Sequence, residues 1–238
     1  MTSLQEQVLG LQVSSTAEEK YMQGLALYDE NKFLDALNLY DSAIEVEPNY
    51  VYFYIGRGLV LDELDRPDDA LDAYDHALLL DPNNADAHSN RGVVLEKLSR
   101  LEAALQAYYN AICCDPELAM AHNNRAFLLA KFNRLEQALE HANIAIKLEP
   151  NEASLFHTLG FVFEKSSKYE EALEAFNSAL VIDPKHAPSH CGRGNVLHKM
   201  NKLNEALEAY DEAIACDSEL MEAIENRSDV LEDINLCK

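Results

Sequence analysis

The feature that most constrains this chain is a proline that returns every 34 residues, at Pro48, Pro82, Pro116, Pro150 and Pro184, with Ser218 in the next place. A fixed period of this length means that one small structural unit is copied along the chain. Setting proline at position 32 of each unit places six units at 17–50, 51–84, 85–118, 119–152, 153–186 and 187–220, with a partial seventh from Met221. Other columns then fall into phase. Position 20 is Ala in all six units (Ala36, Ala70, Ala104, Ala138, Ala172, Ala206), and so is position 27 (Ala43, Ala77, Ala111, Ala145, Ala179, Ala213). Position 8 is Gly except at Ala126, position 11 is Leu except at Phe163, and position 24 is aromatic except at Ala142.

These columns have a physical reading as a pair of antiparallel helices. Apolar residues at positions 4, 7 or 8 and 11, and again at 20, 24, 27 and 28, have helical spacing and form two stripes that face each other. Small residues at 8, 20 and 27 let the two axes approach, and the aromatic side chain at 24 fills the space they leave. Proline at 32 lacks an N–H and disfavours helix in the residue before it, so each unit closes in a turn.

The combination resembles the tetratricopeptide repeat family, and the resemblance covers residues 17–220 and most of the tail. It implies an all-α fold, a right-handed superhelical solenoid of antiparallel helix pairs. Where the family usually has Trp at position 4, this chain has Lys20, Tyr54, His88, His122, Phe156 and His190. The polar members of that column suggest a looser first helix. Residues 1–16 form an N-terminal segment in which Leu4, Val8 and Leu11 share a helical face, read either as a short docking helix or as a frayed end. Thr16 with Glu19 has capping-box spacing for the first helix. Residues 221–238 read as a capping helix and tail, with Ile224, Leu231 and Ile234 covering the last repeat and acids facing water.

The chain's 238 residues carry 19 Lys plus Arg against 42 Asp plus Glu, a net charge of −23. Nucleic acid is excluded as a partner on this balance, since a polyanion requires a basic footprint. The longest uncharged run, Ala103 to Cys114, falls well short of the roughly 18 residues that a membrane span requires. With no cationic, apolar leader before Lys20, the expectation is a cytoplasmic protein without membrane insertion. Five Cys, an odd number, then read as reduced thiols. Cys114 and Cys216 share position 30 with Val46, Leu80, Leu148 and Ile182 and read as small core residues.

The residues do not point to catalysis, a metal or a cofactor. The densest ligand-like cluster is His186, His190, Cys191 and His198, but Pro188 interrupts the helical spacing of its first pair. Gly56 with Gly58, and Gly192 with Gly194, imitate a dinucleotide loop, yet no strand precedes either pair and each second Gly is the position 8 residue. No catalytic triad or phosphate-loop pattern is present.

The resemblance implies that the first helix of each repeat lines a concave groove, and it names candidate ligand contacts. In the first two repeats these are Tyr21, Leu25, Tyr28, Tyr52 and Ile55. Further along they are Asn90, Asn123, Asn124, Phe127, His157, Phe161 and Asn195. A carboxamide matches both the donor and the acceptor of a peptide unit, so Asn side chains suit an extended ligand backbone. The chain lacks the Lys and Asn pattern by which some members grip a chaperone's C-terminal carboxylate. The expected function is a non-catalytic interaction scaffold or adaptor that binds a peptide or helical segment of a partner protein, basic or apolar in character. The alternatives are a chaperone or targeting subunit that shields apolar client segments and a regulatory subunit of a larger enzyme. An apolar groove edge also offers a route to self-association.

Two charge patterns carry expectations of their own. Arg57, Arg91, Arg125, Arg193 and Arg227 share position 7, and an acid precedes the turn residue in every repeat, so each Arg is expected to pair with an acid across the repeat junction. Residues 17–84 hold 16 acids and 4 bases, an acidic front suited to steering a basic partner.

Overall fold

The computed structural model describes residues Ser15–Leu236, and every regular element in that span is an α-helix. First helices of the repeats are α1 (Ser15–Asp29), α3 (Val51–Glu63), α5 (Ala85–Lys97), α7 (Ala119–Lys131), α9 (Ala153–Lys165) and α11 (Ala187–Lys199). Their second helices are α2 (Phe33–Val46), α4 (Pro67–Leu80), α6 (Leu101–Cys114), α8 (Leu135–Leu148), α10 (Tyr169–Ile182) and α12 (Leu203–Cys216). Helix α13 (Met221–Leu236) follows. The chain forms two compact units, one ending at Pro116 and the other starting at Glu117. Within each unit the paired helices pack on each other, and each second helix packs on the first helix of the next repeat.

Both helix ends are set by local chemistry. Each first helix stops at a left-handed residue at position 15: Asn31, Asp65, Ser99, Asn133, Ser167 and Asn201, with φ between 55° and 59°. In the third repeat the Ser99 N–H donates to the Glu96 carbonyl and the Arg100 N–H to the Leu95 carbonyl, both at 2.8 Å. This is the double hydrogen bond that closes a helix around one left-handed residue, and it recurs in all six repeats. Each second helix ends when the N–H before the turn residue donates to the carbonyl of the position 27 Ala, after which, in the first five repeats, proline forbids another turn. The acid at that point then accepts a backbone N–H two residues on, as at Asp81, Asp183 and Asp217.

Between the paired helices the packing follows the columns. Every Ala at positions 20 and 27 is fully buried. The ring at position 24 lies against the glycine at position 8, so that a Cβ on Gly24, Gly58, Gly92, Gly160 or Gly194 would stand 2.5–2.7 Å from a ring atom of Tyr40, Tyr74, Tyr108, Phe176 or Tyr210. The same ring also reaches the next repeat. A Cβ on Gly56 would meet Tyr40 at 2.9 Å, and one on Gly192 would meet Phe176 at 2.5 Å. Ala126 and Ala142, the exceptions in the two columns, belong to one repeat: where the ring is missing, the glycine is missing too.

Several local expectations are corrected. The polar residues at position 4 do not loosen the first helix. The Tyr54 hydroxyl and the Nε2–H groups of His88 and His190 donate to the carbonyls of Pro48, Pro82 and Pro184, each at 3.0 Å, and so tie that helix to the preceding turn. Cys216 is exposed, because position 30 sits at the open end of the second helix, where Val46, Leu80 and Ile182 are also exposed. On α13 it is Ala223 and Val230 that are fully buried against α12, with Ile234 packed beside them. Thr16 lies inside α1 and not at its cap. The expected docking segment of residues 4–13 lies outside the described residues.

The ring and glycine contact yields a direct test. Gly92→Ala is expected to lower unfolding free energy by about 1–3 kcal/mol through overpacking, despite the better helix propensity of Ala. In a Tyr108→Leu background the same change costs less, and urea melts of the double-mutant cycle read the difference.

Candidate functional site

The floor of the candidate surface is built by position 5 of the first helices. In the first unit this column is Tyr21, Ile55 and Ser89, only 4%, 6% and 7% exposed. Tyr21 packs against the rings of Tyr40, Tyr50 and Phe53, with centroids 5.5–6.5 Å away, and burial pushes its phenol well above its usual range. Tyr21 and Ile55, expected to present contact surface, are core side chains instead, because position 5 faces the seam between neighbouring first helices. Leu25, Tyr28, Tyr52 and Asn90 are half-buried and retain accessible surface.

In the second unit the position 5 residues are Asn123, His157 and Cys191. Asn123 is 7% exposed, its Oδ1 has no hydrogen-bond partner, and its Nδ2 reaches Asn124 only at 3.5 Å. Burial and the nearby His186 hold the His157 imidazole down at about 4, and burial pushes the Cys191 thiol up to about 12. Both are therefore neutral at physiological pH, a poor state for acid–base or thiolate chemistry.

Above this floor stand the position 9 residues. Phe127 and Phe161 are half-buried and stack on each other with centroids 4.7 Å apart and planes 37° apart. One turn on from each, the Lys131 and Lys165 ammonium groups lie 4.4 and 5.1 Å from the Phe127 and Phe161 ring centroids. The two phenylalanines line a cavity of about 180 Å³ whose walls include His157, Phe176, Cys191 and Leu220. Phe176 was not expected here. The signal for it is Gly192, whose missing side chain leaves room for that ring. Asn195 also lines the cavity, but its carboxamide is already engaged. Its Oδ1 accepts from Tyr210 and Asn226 at 2.7 and 2.8 Å, and its Nδ2 donates to Glu222 at 3.1 Å. Asn195 therefore acts as an internal brace in this structure, which differs from the expected ligand contact.

A ladder that the sequence reading missed runs between positions 12 and 13 of successive first helices. Tyr28 donates to Glu63 at 3.4 Å, Lys97 to Asp62 at 2.7 Å, Lys199 to Glu164 at 2.7 Å and His198 to Asp233 at 2.8 Å. Each pair is separated by 35 residues, one repeat plus one position, a spacing that could have revealed it. Glu164 is only 7% exposed, so Lys199 compensates a carboxylate that has lost most of its water.

Arg57, Arg91, Arg193 and Arg227 of the position 7 column do pair with acids, but with different ones from those before the turn. Arg57 donates to Asp41 at 2.8 Å and Arg91 to Asp75 at 2.6 Å, and Arg227 pairs with Asp211. These acids all hold position 25 of the preceding second helix. Where that position is Asn177, Arg193 turns to Glu212 of its own repeat at 3.1 Å. Among the described residues no group of three or more His, Cys, Asp or Glu side chains is placed to hold a metal ion, and no helix is long and apolar enough to cross a membrane.

Sequence models described as tetratricopeptide repeat match residues 21–78, 57–119 and 187–220, and one described as TPR repeat matches 165–201. The chain belongs to the tetratricopeptide repeat family. No curated protein sequence matches it. Solved structures of similar fold include a chain of the APC/C hetero-tetramer Cut9-Hcn1, with TM-score 0.83 and 18% identity over 96% of this chain. This tetratricopeptide repeat chain spans only 45% of that protein's length. YrrB, a TPR protein with an unusual peptide-binding site, aligns with TM-score 0.57 and 24% identity over 79% of this chain and 97% of its own. PilF of Pseudomonas aeruginosa aligns with TM-score 0.74 and 18% identity over 90% of this chain and 97% of its own. At these identities the likeness is one of fold.

Two predictions follow from the geometry. Lys199→Ala is expected to cost about 1–3 kcal/mol in chemical denaturation by leaving Glu164 buried and uncompensated, and adding Glu164→Gln restores most of the loss. The second concerns pH. Burial and neighbouring groups hold both His141 and His157 down at about 4, against an ordinary value of 6.5. Between those values the unfolded chain binds more protons than the folded one, so stability falls as pH is lowered through that window. A urea titration at pH 5 is expected to give about 2–4 kcal/mol less stability than at pH 7, and His157→Phe is expected to roughly halve the difference.

Proposed function

We propose that this chain is a non-catalytic protein-interaction scaffold whose second unit binds a peptide segment of a partner. The observation that carries the reading is the cavity of about 180 Å³ with two half-buried phenylalanines in contact in its lining. Apolar surface of this kind, already formed and held by packed helices, gains free energy when a side chain covers it and costs little ordering. The unpartnered Asn123 Oδ1, one helical turn before Phe127, is an acceptor suited to a ligand backbone N–H. Asn124 and His157 flank it, and in the first unit Leu25, Tyr28, Tyr52 and Asn90 offer a second, more polar stretch. YrrB, similar in fold, is a TPR protein with a peptide-binding site, which agrees with this use of the architecture.

Shielding of apolar client segments by the first two repeats loses its main support, because Tyr21 and Ile55 are consumed by the core. A Phe127→Ala, Phe161→Ala variant is expected to keep its helical circular dichroism and melt within a few degrees of wild type. It is expected to lose a defined partner in quantitative affinity capture at matched concentrations. Retention of every partner by the folded variant would remove the second unit's cavity as the site.

A further inference from the structure

Helix α13 fills the first-helix role of a repeat on one side only. Toward the preceding repeat, Ala223 and Val230 are fully buried against α12, Arg227 pairs with Asp211, and His198 meets Asp233 at 2.8 Å. The side that would carry a second helix is open. In the six repeats that side is positions 4, 8 and 11. There Tyr54 stacks on His76, a Cβ on Gly58 would touch the Tyr74 ring, and Leu197 packs among Ala206, Ala209 and Tyr210. On α13 the same positions are Ile224, Ser228 and Leu231. Among the described residues the only helices packed on α13 are α11 and α12. Ile224 and Leu231 are half-buried, Ser228 is exposed, and Met221 at the head of the stripe is 60% exposed. The Ser228 hydroxyl donates to the Ile224 carbonyl at 3.0 Å, so its polar group is satisfied inside its own helix. Glu225, Asp229 and Glu232 run along one edge of the stripe, all exposed. The ion pairs of α13 are made by Arg227 and Asp233 and leave these three acids without a cation.

We propose that this face docks an amphipathic helix of a partner protein, in the place that a second helix takes within each repeat. The contact continues an interface that the chain already builds in every repeat. The chemistry of the occupant follows from the face. Position 8 carries a side chain here, so a ring of the kind seated on the glycines would meet its Cβ. The fourth repeat shows the alternative, with Ala126 at position 8 and Ala142 at position 24. The partner helix therefore sets Ala against Ser228 and Leu on either side, over Ile224 and Leu231. Its edge beside Glu225, Asp229 and Glu232 carries Lys or Arg. A second copy of the chain is a poor occupant, because molecules of net charge −23 repel each other. The proposal does not rest on the peptide cavity, since none of Ile224, Ser228 and Leu231 lines it.

The test uses the full chain and two fluorescein-labelled helical peptides, each as long as α12, 14 residues. Both carry Leu and Ala at second-helix spacing, and their edge residues are Lys in one and Glu in the other. Anisotropy titrations at physiological salt are expected to show the Lys-edged peptide binding and the Glu-edged peptide failing to bind. Ser228→Gln, which adds bulk at an exposed site, is expected to weaken binding about tenfold. Glu225→Lys, Asp229→Lys and Glu232→Lys together are expected to transfer binding to the Glu-edged peptide. Glu102→Lys, Glu136→Lys and Glu140→Lys make the same change in net charge at exposed sites on other helices and are expected to leave affinity within about twofold. Phe161→Ala is also expected to leave it unchanged. No binding up to about 1 mM, or binding that Ser228→Gln does not weaken, overturns the docking face. If Phe161→Ala weakens binding, the peptide occupies the cavity and the docking face is again overturned, while the cavity reading stands. Equal binding of the Glu-edged peptide, or an equal loss in the control reversal, overturns the charge assignment. A dimer in sedimentation that Ser228→Gln dissolves gives the face to a second copy and overturns the partner helix.

Discussion

The fold rests on one contact repeated with a period of 34: an aromatic ring at position 24 pressed onto a backbone without a side chain at position 8. Because a Cβ at that point would stand 2.5–2.7 Å from the ring, the two helices of a repeat can approach this closely only if one of them gives up its side chain. Glycine in the middle of a helix costs about 1 kcal/mol relative to Ala. Burial of a large aromatic ring outweighs that cost several-fold. The tyrosine at this position also reaches the face of the first helix, where Tyr108 donates to Glu96 at 2.8 Å and Tyr210 to Asn195 at 2.7 Å. One residue thus joins core packing to the arrangement of side chains on the first helix.

Most of the helical architecture was legible in the sequence, because proline, alanine and glycine act through the backbone and repeat with the unit. The site was legible only in part. Periodicity identified the helix face that carries Tyr21, Ile55, Asn123 and Phe127, but it did not separate position 5, sunk in the seam between first helices, from position 9, which stands above it. That distinction depends on how closely consecutive repeats approach, a property of the assembled unit and of no single repeat. The Asn195 brace was hidden for the same reason: its three partners lie 15, 27 and 31 residues away, one on α12 and two on α13.

Charge follows a stricter order than the totals suggest. Of the 19 Lys and Arg residues, 15 fall in three columns, at positions 7, 13 and 16. The first column reaches acids of the preceding second helix at Arg57, Arg91 and Arg227, the second forms part of the inner ladder or lies on the phenylalanine rings, and the third stands in the turn between the two helices of a repeat, at the N-cap of the second. Acids occupy most of the remaining surface and keep the protein strongly negative.

The glycines at Gly56 and Gly192 also bear on how such a chain is inherited. Each accommodates a ring contributed by the repeat before it, Tyr40 in one case and Phe176 in the other, so a repeat is adapted to a particular predecessor as well as to its own two helices. Duplication or shuffling of whole repeats by recombination would keep the period and still misplace these partners, setting a ring against an occupied position or a glycine against empty space. The units are alike in outline, and Gly56 and Gly192 mark the two that are cut to fit the ring of the repeat before them.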